Sequence, residues 1–121
     1  MLVVDAANVV GSRPTGWWRD RAGAAKRLYD AIAAAAQAGD LATPVVVVLE
    51  GQARSGVPEG DEDGLRVLHA PGSGDDEIVR IASETTDAMT VVTADRGLRA
   101  RIDRDGVTLV GPNWLLERLP S

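Results

Sequence analysis

Short, strongly apolar runs alternate along this chain with segments of helical periodicity, and this alternation limits the fold more than any other feature. The longest run, Val45–Leu49, is wholly apolar, as is typical of a strand covered on both faces of a parallel sheet. Similar runs are Leu2–Val4, Leu65–Ala70, Met89–Thr93 and Val107–Val110. Parallel neighbours need long crossovers, usually helical, so the pattern predicts an α/β fold with a mostly parallel sheet of about five strands flanked by helices.

The segments between these runs carry helix signals and one loop signal. The predicted helices are Asp20 to about Ala38 with Gly39 as its stop, one opening at Ser73-Gly74 or Asp75, Arg96–Arg104, and Trp114–Leu119 capped by Asn113. The segment 51–64 is rich in glycine and acidic residues. We expect it to be a loop that joins the second and third strands by an irregular or partly helical crossover.

Composition narrows the class of protein. A chain of 121 residues is expected to form one domain, residues 1–121. Cysteine is absent, which excludes disulfides, zinc–thiolate sites and cysteine nucleophiles. The formal net charge of −5 argues against a protein that coats nucleic acid by bulk electrostatics. The sequence has neither a long apolar run nor a basic leader at its start, so we expect a soluble, cytoplasmic protein without a membrane partner.

Acidic residues follow the apolar runs at the points where strands should end. Asp5, Glu50 and Asp95 each follow such a run directly, and Asp75-Asp76 stand at a predicted helix start. The carboxyl ends of parallel strands open into the crevice where α/β proteins bind ligands. Carboxylates gathered there would hold Mg²⁺ or Mn²⁺. The predicted metal ligands are Asp5, Glu50, Asp75, Asp76 and Asp95, and the chemistry they favour is metal-assisted phosphodiester hydrolysis.

Three segments resemble a known family. Leu2-Val3-Val4-Asp5-Ala6-Ala7-Asn8-Val9-Val10-Gly11 is similar to the opening motif of NYN domains, which belong to the PIN-like nuclease superfamily. Gly74-Asp75-Asp76-Glu77-Ile78 and Val91-Val92-Thr93-Ala94-Asp95-Arg96-Gly97-Leu98 resemble two later motifs, in the same order. The resemblance implies a single Rossmann-like (PIN-like) domain and a ribonuclease that depends on Mg²⁺ or Mn²⁺. The matching catalytic positions would be Asp5, Asp75 and Asp95, and Asn8 and Thr93 would assist as substrate-binding residues.

Each acidic residue and its neighbours also have a structural interpretation. Asp5 could be a turn acid, Asp95 could cap a helix, and Glu50 could face solvent. Asp75 and Asp76 could both serve the helix N-terminus, where negative charge is favourable. Asn8 could cap the turn after the first strand or orient Asp5 or a phosphate.

Basic and aromatic residues near the predicted crevice suggest a binding surface for the substrate. Arg13, Arg19 and Arg96 could contact phosphates, or they could lie on solvated helix faces. The pair Trp17-Trp18 could stack on a base, cover the first helix, or form a homodimer contact.

Two other functions remain open from the sequence. A nucleotide pyrophosphohydrolase or phosphohydrolase would use the same acids and arginines. A non-catalytic PIN-like interaction module would keep the fold without the chemistry. The sequence also does not separate RNA from other nucleic acids as the substrate.

Overall fold

The structure is a computed structural model that describes residues 1–13 and 15–120, and its six strands form one sheet. The strands are β1 (Leu2–Asp5), β2 (Val45–Leu49), β3 (Gly60–Glu62), β4 (Leu65–His69), β5 (Met89–Val92) and β6 (Val107–Val110). The helices are α1 (Ala6–Gly11), α2 (Arg21–Gln37), α3 (Gly74–Glu84), α4 (Arg96–Arg101) and α5 (Pro112–Leu116). Two 3₁₀ helices cover Trp17–Arg19 and Gly51–Gly56.

The sheet has the strand order β3-β4-β2-β1-β5-β6, and only β3 runs antiparallel to its neighbour. The chain passes from β1 outward through β2 to β4, and then returns to place β5 on the other side of β1. The strand order therefore reverses between β1 and β5. In α/β sheets, the crevice at the carboxyl ends of the strands at such a reversal is where ligands bind.

Two apolar layers cover the sheet, and alternate strand residues supply one layer each, as a pleated strand requires. Val4, Val47 and Val92 pack in the layer that contains residues of α1, α2 and α5. Val3 and Val91 pack in the layer that contains residues of α3 and α4. Because both faces are covered, the central strands need apolar side chains throughout, which explains the unbroken valine runs in the sequence.

The predicted α/β fold, with a mostly parallel sheet flanked by helices, is confirmed. The first long helix also agrees with the prediction, since the Asp20 carboxylate caps α2 by accepting a hydrogen bond from the Gly23 N–H at 2.9 Å. Ser73 is the N-cap of α3, and its hydroxyl accepts a hydrogen bond from the Asp76 N–H at 3.2 Å. Within the described part of the chain, no helix is long and apolar enough to span a bilayer.

Several expectations about local structure were wrong. The segment 51–64 is partly helical, as the expected crossover allowed, but it also contains the antiparallel strand β3, which was not predicted. Strand β3 could not be predicted from the sequence, because all three of its residues are exposed and it lacks an alternation of apolar and polar residues. Helix α1 was not predicted; it begins directly after Asp5. Helix α4 ends at Arg101 instead of Arg104.

The last helix also begins earlier than predicted. Gly111 is its N-cap and Pro112 its first residue, so Asn113 lies inside α5. Proline fits this position because the first helical N–H has no partner within the helix.

Candidate active site

Asp5 is a buried carboxylate at the point where the strand order reverses. It ends β1 and precedes α1, and only 4% of its surface is exposed. The Thr93 hydroxyl donates a hydrogen bond to Asp5 Oδ2 at 2.9 Å. Burial raises the pKa of Asp5 from 3.8 to about 6, and the nearby charges of Asp75 and Glu50 add to this rise, while the Thr93 hydrogen bond opposes it. Asp5 therefore carries a negative charge at neutral pH that its surroundings disfavour.

Thr93 and Ala94, which directly follow β5, donate hydrogen bonds that hold Asp5 and helix α1 in place. The Thr93 hydroxyl also accepts a hydrogen bond from the Asp95 N–H at 3.1 Å. The Asn8 side-chain oxygen accepts one from the Ala94 N–H at 2.8 Å. These contacts join α1 to the loop after β5. Asn8 and Thr93, which the sequence suggested as substrate-binding residues, are thus seen here as residues that position the site.

Asp75 and Asp95 lie at the starts of two helices on the other face of the sheet. Asp95 caps α4, since its Oδ1 accepts a hydrogen bond from the Leu98 N–H at 2.8 Å. Asp75 lies in the first turn of α3 and is partly exposed. Burial raises the pKa of Asp75, and the charges of Asp95 and Glu50 raise it further. The structure therefore brings Asp75 within electrostatic reach of both Asp5 and Asp95.

Glu50 approaches the start of α3 from the end of β2. A Cβ atom built on Gly74 would lie 3.1 Å from Glu50 Oε1. A side chain at position 74 would therefore crowd the carboxylate, and glycine leaves room for it. The sequence did not reveal this role of Gly74, because the contact joins residues from two separate elements.

Asp76 differs from the other predicted ligands. Its side chain is exposed, and Arg101 donates a hydrogen bond to its Oδ1 at 2.9 Å. Hydrogen bonds from Arg101 and Ser73 lower the pKa of Asp76. Its charge is thus already balanced by an arginine that sequence reasoning missed, since a residue 25 positions away gives no local signal.

The predicted arginines do not form one cluster around the acids. Arg13, Arg19 and Arg96 are all exposed. Arg13 lines a cavity of about 420 Å³ next to α2, and none of the candidate metal ligands lines that cavity. Arg19 lies over the Trp18 ring, with 5.9 Å from its guanidinium carbon to the ring centroid. Arg96 follows Asp95 directly as the first residue of α4 and is the nearest of the three in sequence to the site.

The acidic residues that the structure describes also do not form a preformed metal-binding site. Within residues 1–13 and 15–120, no three histidine, aspartate or glutamate side chains are arranged to hold one ion together. The arrangement is instead a group of electrostatically coupled carboxylates at the carboxyl ends of the strands and the adjoining helix starts, formed by Asp5, Glu50, Asp75 and Asp95. We call this group the acidic edge.

Comparison with known proteins bears on the fold. No family model matches the chain, and no curated protein matches it. Among solved structures, the crystal structure of a single-residue mutant of Rae1 (YacP) from Bacillus subtilis is similar, with a TM-score of 0.68 and 20% sequence identity. The match covers 96% of this chain and 72% of that one. At this level of identity the similarity shows a shared fold alone.

Proposed function

We propose that this protein is a ribonuclease that hydrolyses phosphodiester bonds with the help of Mg²⁺ or Mn²⁺. The observation that carries the proposal is the acidic edge, with Asp5 buried at its centre. Neighbouring carboxylates raise the pKa values of Asp5 and Asp75, and no ion pair within the described residues involves Asp5, Glu50 or Asp75. A divalent cation would remove that repulsion.

The donor set fits such an ion. All four side chains offer carboxylate oxygens, which are the ligands that Mg²⁺ and Mn²⁺ prefer. Mg²⁺ usually keeps several waters and binds through one or two carboxylates, so it does not require three converging side chains. Asp5 and Asp75 would hold the ion, and the charges of Asp95 and Glu50 would add to its attraction. When bound, the ion supplies polarisation of the scissile phosphate and a more acidic water.

The protein's own residues then orient the reaction. Thr93 donates its hydrogen bond to Oδ2 of Asp5, which would leave the other oxygen, Oδ1, available to an ion. Asp95 uses Oδ1 for its helix cap, so its Oδ2 can accept a proton or a hydrogen bond. The resemblance of the three motifs to NYN domains of the PIN-like superfamily supports RNA as the substrate.

The proposal is tested by cleavage of a labelled single-stranded RNA in Mn²⁺ or Mg²⁺. Asp5→Asn keeps the size and the Thr93 contact but removes the charge, so we expect a loss of at least ~100-fold, because a bound metal supplies several kcal/mol of catalysis. EDTA should abolish cleavage in the parent protein. The matched control is Asp30→Asn, since Asp30 lies on α2 and is exposed and paired with Lys26 at 2.6 Å; its activity should not change.

Two outcomes would reject the ribonuclease proposal. Equal cleavage by the parent and Asp5→Asn would assign the activity to another site or to a contaminant. Hydrolysis of mononucleotides without cleavage of RNA would favour a nucleotide phosphohydrolase instead. If neither substrate is hydrolysed or bound, the domain is better described as a non-catalytic interaction module.

A further inference from the structure

A small cavity lies beside the acidic edge and has a composition unlike the edge itself. Its volume is about 280 Å³, just below the usual range for pockets that hold drug-sized ligands. Small apolar side chains form much of its wall, among them Ala6, Val10, Ala25 and Ala53. Trp17, Arg21 and Glu50 supply its aromatic and charged groups. We call this cavity the Trp17 pocket.

Arg21 and Glu50 are the charged groups of the Trp17 pocket, and Arg21 lies against the Trp17 ring. The Arg21 guanidinium carbon lies 5.2 Å from the centroid of the Trp17 ring, and within the described residues Arg21 makes no side-chain hydrogen bond or ion pair. Glu50 likewise has no side-chain partner there. An indole ring, a planar cation and a carboxylate acceptor around apolar walls suit a flat aromatic ring that carries hydrogen-bonding groups on its edge, which describes a nucleobase.

The position of the pocket connects it to the site of the proposed chemistry. Ala6 and Ala7, which line it, follow Asp5 directly in the chain. Glu50 lines the pocket and also reaches the start of α3 beside Asp75. A nucleotide whose base enters the pocket would therefore have its phosphate near the acidic edge.

We propose that the Trp17 pocket binds one base of a single-stranded RNA and so places the adjacent phosphate at the acidic edge. This inference rests on the proposed ribonuclease function. Trp17 and Arg21 would be binding residues, with the base stacked against them.

A neighbouring pair of the same residue types provides an internal control. Trp18 and Arg19 also lie close together, 5.9 Å apart by the same measure, and Trp18 is 54% exposed. Its ring meets that of Trp17 edge-on, with the centroids 6.1 Å apart. Neither Trp18 nor Arg19 lines the pocket. Exposure alone would favour Trp18 as the stacking residue, whereas the pocket favours Trp17.

The test is the binding of a fluorescent single-stranded RNA of about ten nucleotides, measured by anisotropy in Ca²⁺ to limit turnover. Trp17→Ala and Arg21→Ala should each weaken binding by about tenfold, the scale of a lost base–aromatic contact. Trp18→Ala should change it by less than about threefold, and Trp17→Phe should keep most of the affinity because it keeps an aromatic face. An RNA that lacks the base at the bound position should bind the parent more weakly than the intact RNA does. Trp17→Ala should bind the two RNAs equally.

The inference is overturned if Trp17→Ala binds like the parent, or if Trp18→Ala causes the larger loss. Since Trp17 is partly buried, thermal unfolding of every variant checks the fold, and Arg21→Ala and Trp17→Phe decide the question if Trp17→Ala unfolds.

Binding of nucleoside monophosphates, followed by tryptophan fluorescence, separates this inference from the ribonuclease proposal. If the protein cleaves RNA and Trp17→Ala binds RNA as tightly as the parent, the base-binding role of the pocket is rejected and the ribonuclease proposal stands. Monophosphate binding that depends on Trp17, without RNA cleavage, rejects the ribonuclease and keeps the pocket. Absence of both kinds of binding rejects both.

Discussion

The carboxylates of the acidic edge and those of the helix surfaces have opposite surroundings. On the helices, carboxylates lie against basic side chains: Asp30 is 2.6 Å from Lys26, Glu84 is 2.7 Å from Arg80, and Asp76 is 2.9 Å from Arg101. At the acidic edge, Asp5, Glu50 and Asp75 lie near one another, and no ion pair among the described residues involves them.

The two groups of carboxylates therefore have opposite effects on the free energy of folding. An exposed pair on a helix contributes a small, favourable free energy. A buried carboxylate near other carboxylates costs folding free energy, because both desolvation and repulsion disfavour its charge. Such arrangements are concentrated at functional sites. Substitutions at the acidic edge and on the helix surfaces can measure whether the acidic edge carries this cost.

The largest expected effect is the pH dependence that Asp5 gives to stability. Its pKa is about 6 in the folded protein against 3.8 for an ordinary aspartate, so folding takes up a proton between these values. The free energy of unfolding should therefore fall as pH rises from about 3 to about 7, and Asp5 accounts for about 3 kcal/mol of this fall. Asp75, whose pKa is also raised, acts in the same direction.

Urea unfolding in EDTA across this pH range measures the effect. Asp5→Asn lacks the titrating group, so it should be more stable than the parent at pH 7, and the difference should shrink towards pH 4. Identical pH profiles for the two proteins would show that Asp5 carries no such cost.

A smaller effect is expected from Thr93→Val, which keeps the side-chain shape but removes the hydroxyl. Asp5 loses its donor and the Asp95 N–H loses its acceptor, so we expect a loss of stability of about 2 kcal/mol at pH 7. The pKa of Asp5 should rise above its value in the parent, because the Thr93 hydrogen bond lowers it. Urea unfolding and an NMR titration of the Asp5 carboxyl measure the two effects.

Thr90→Val is the matched control for Thr93→Val. Thr90 lies in β5, three residues before Thr93, and makes no side-chain hydrogen bond within the described residues. A loss of stability as large in Thr90→Val as in Thr93→Val would assign the effect to the strand instead of the site.

The smallest expected effect comes from replacing a glutamate by glutamine in each of the two regions. The replacement should lower the free energy of unfolding on the helix surface but not at the acidic edge. Glu84→Gln removes one partner of an exposed pair on α3 and should lower stability by less than about 0.5 kcal/mol, less still at high salt. Glu50→Gln removes a charge from the acidic edge, so it should not destabilise, and it should lower the pKa of Asp5. A loss of stability in Glu50→Gln larger than that in Glu84→Gln would contradict the comparison.

The sequence predicted the elements whose signals are local. The strand Val45–Leu49 and the start of α2 after Asp20 agree with the structure, because an apolar run and an N-cap are both readable from neighbouring residues. Strand β3 was missed because its residues are polar and exposed, and its strand form depends on pairing with β4. The ion pair of Asp76 with Arg101 was also missed, because it joins residues of two different helices.

By itself, the sequence determined the α/β class and the positions of acids at the ends of strands, since periodicity and strand boundaries are properties of short segments. Only the tertiary structure decided which acids stay without a partner. It paired Asp76 with Arg101, used Asp95 partly as a cap, and buried Asp5 against Thr93. It also placed Trp17 and Arg21 beside Glu50. The physical reason is that burial and charge interactions depend on distances between elements far apart in the chain, and strand order and packing set those distances.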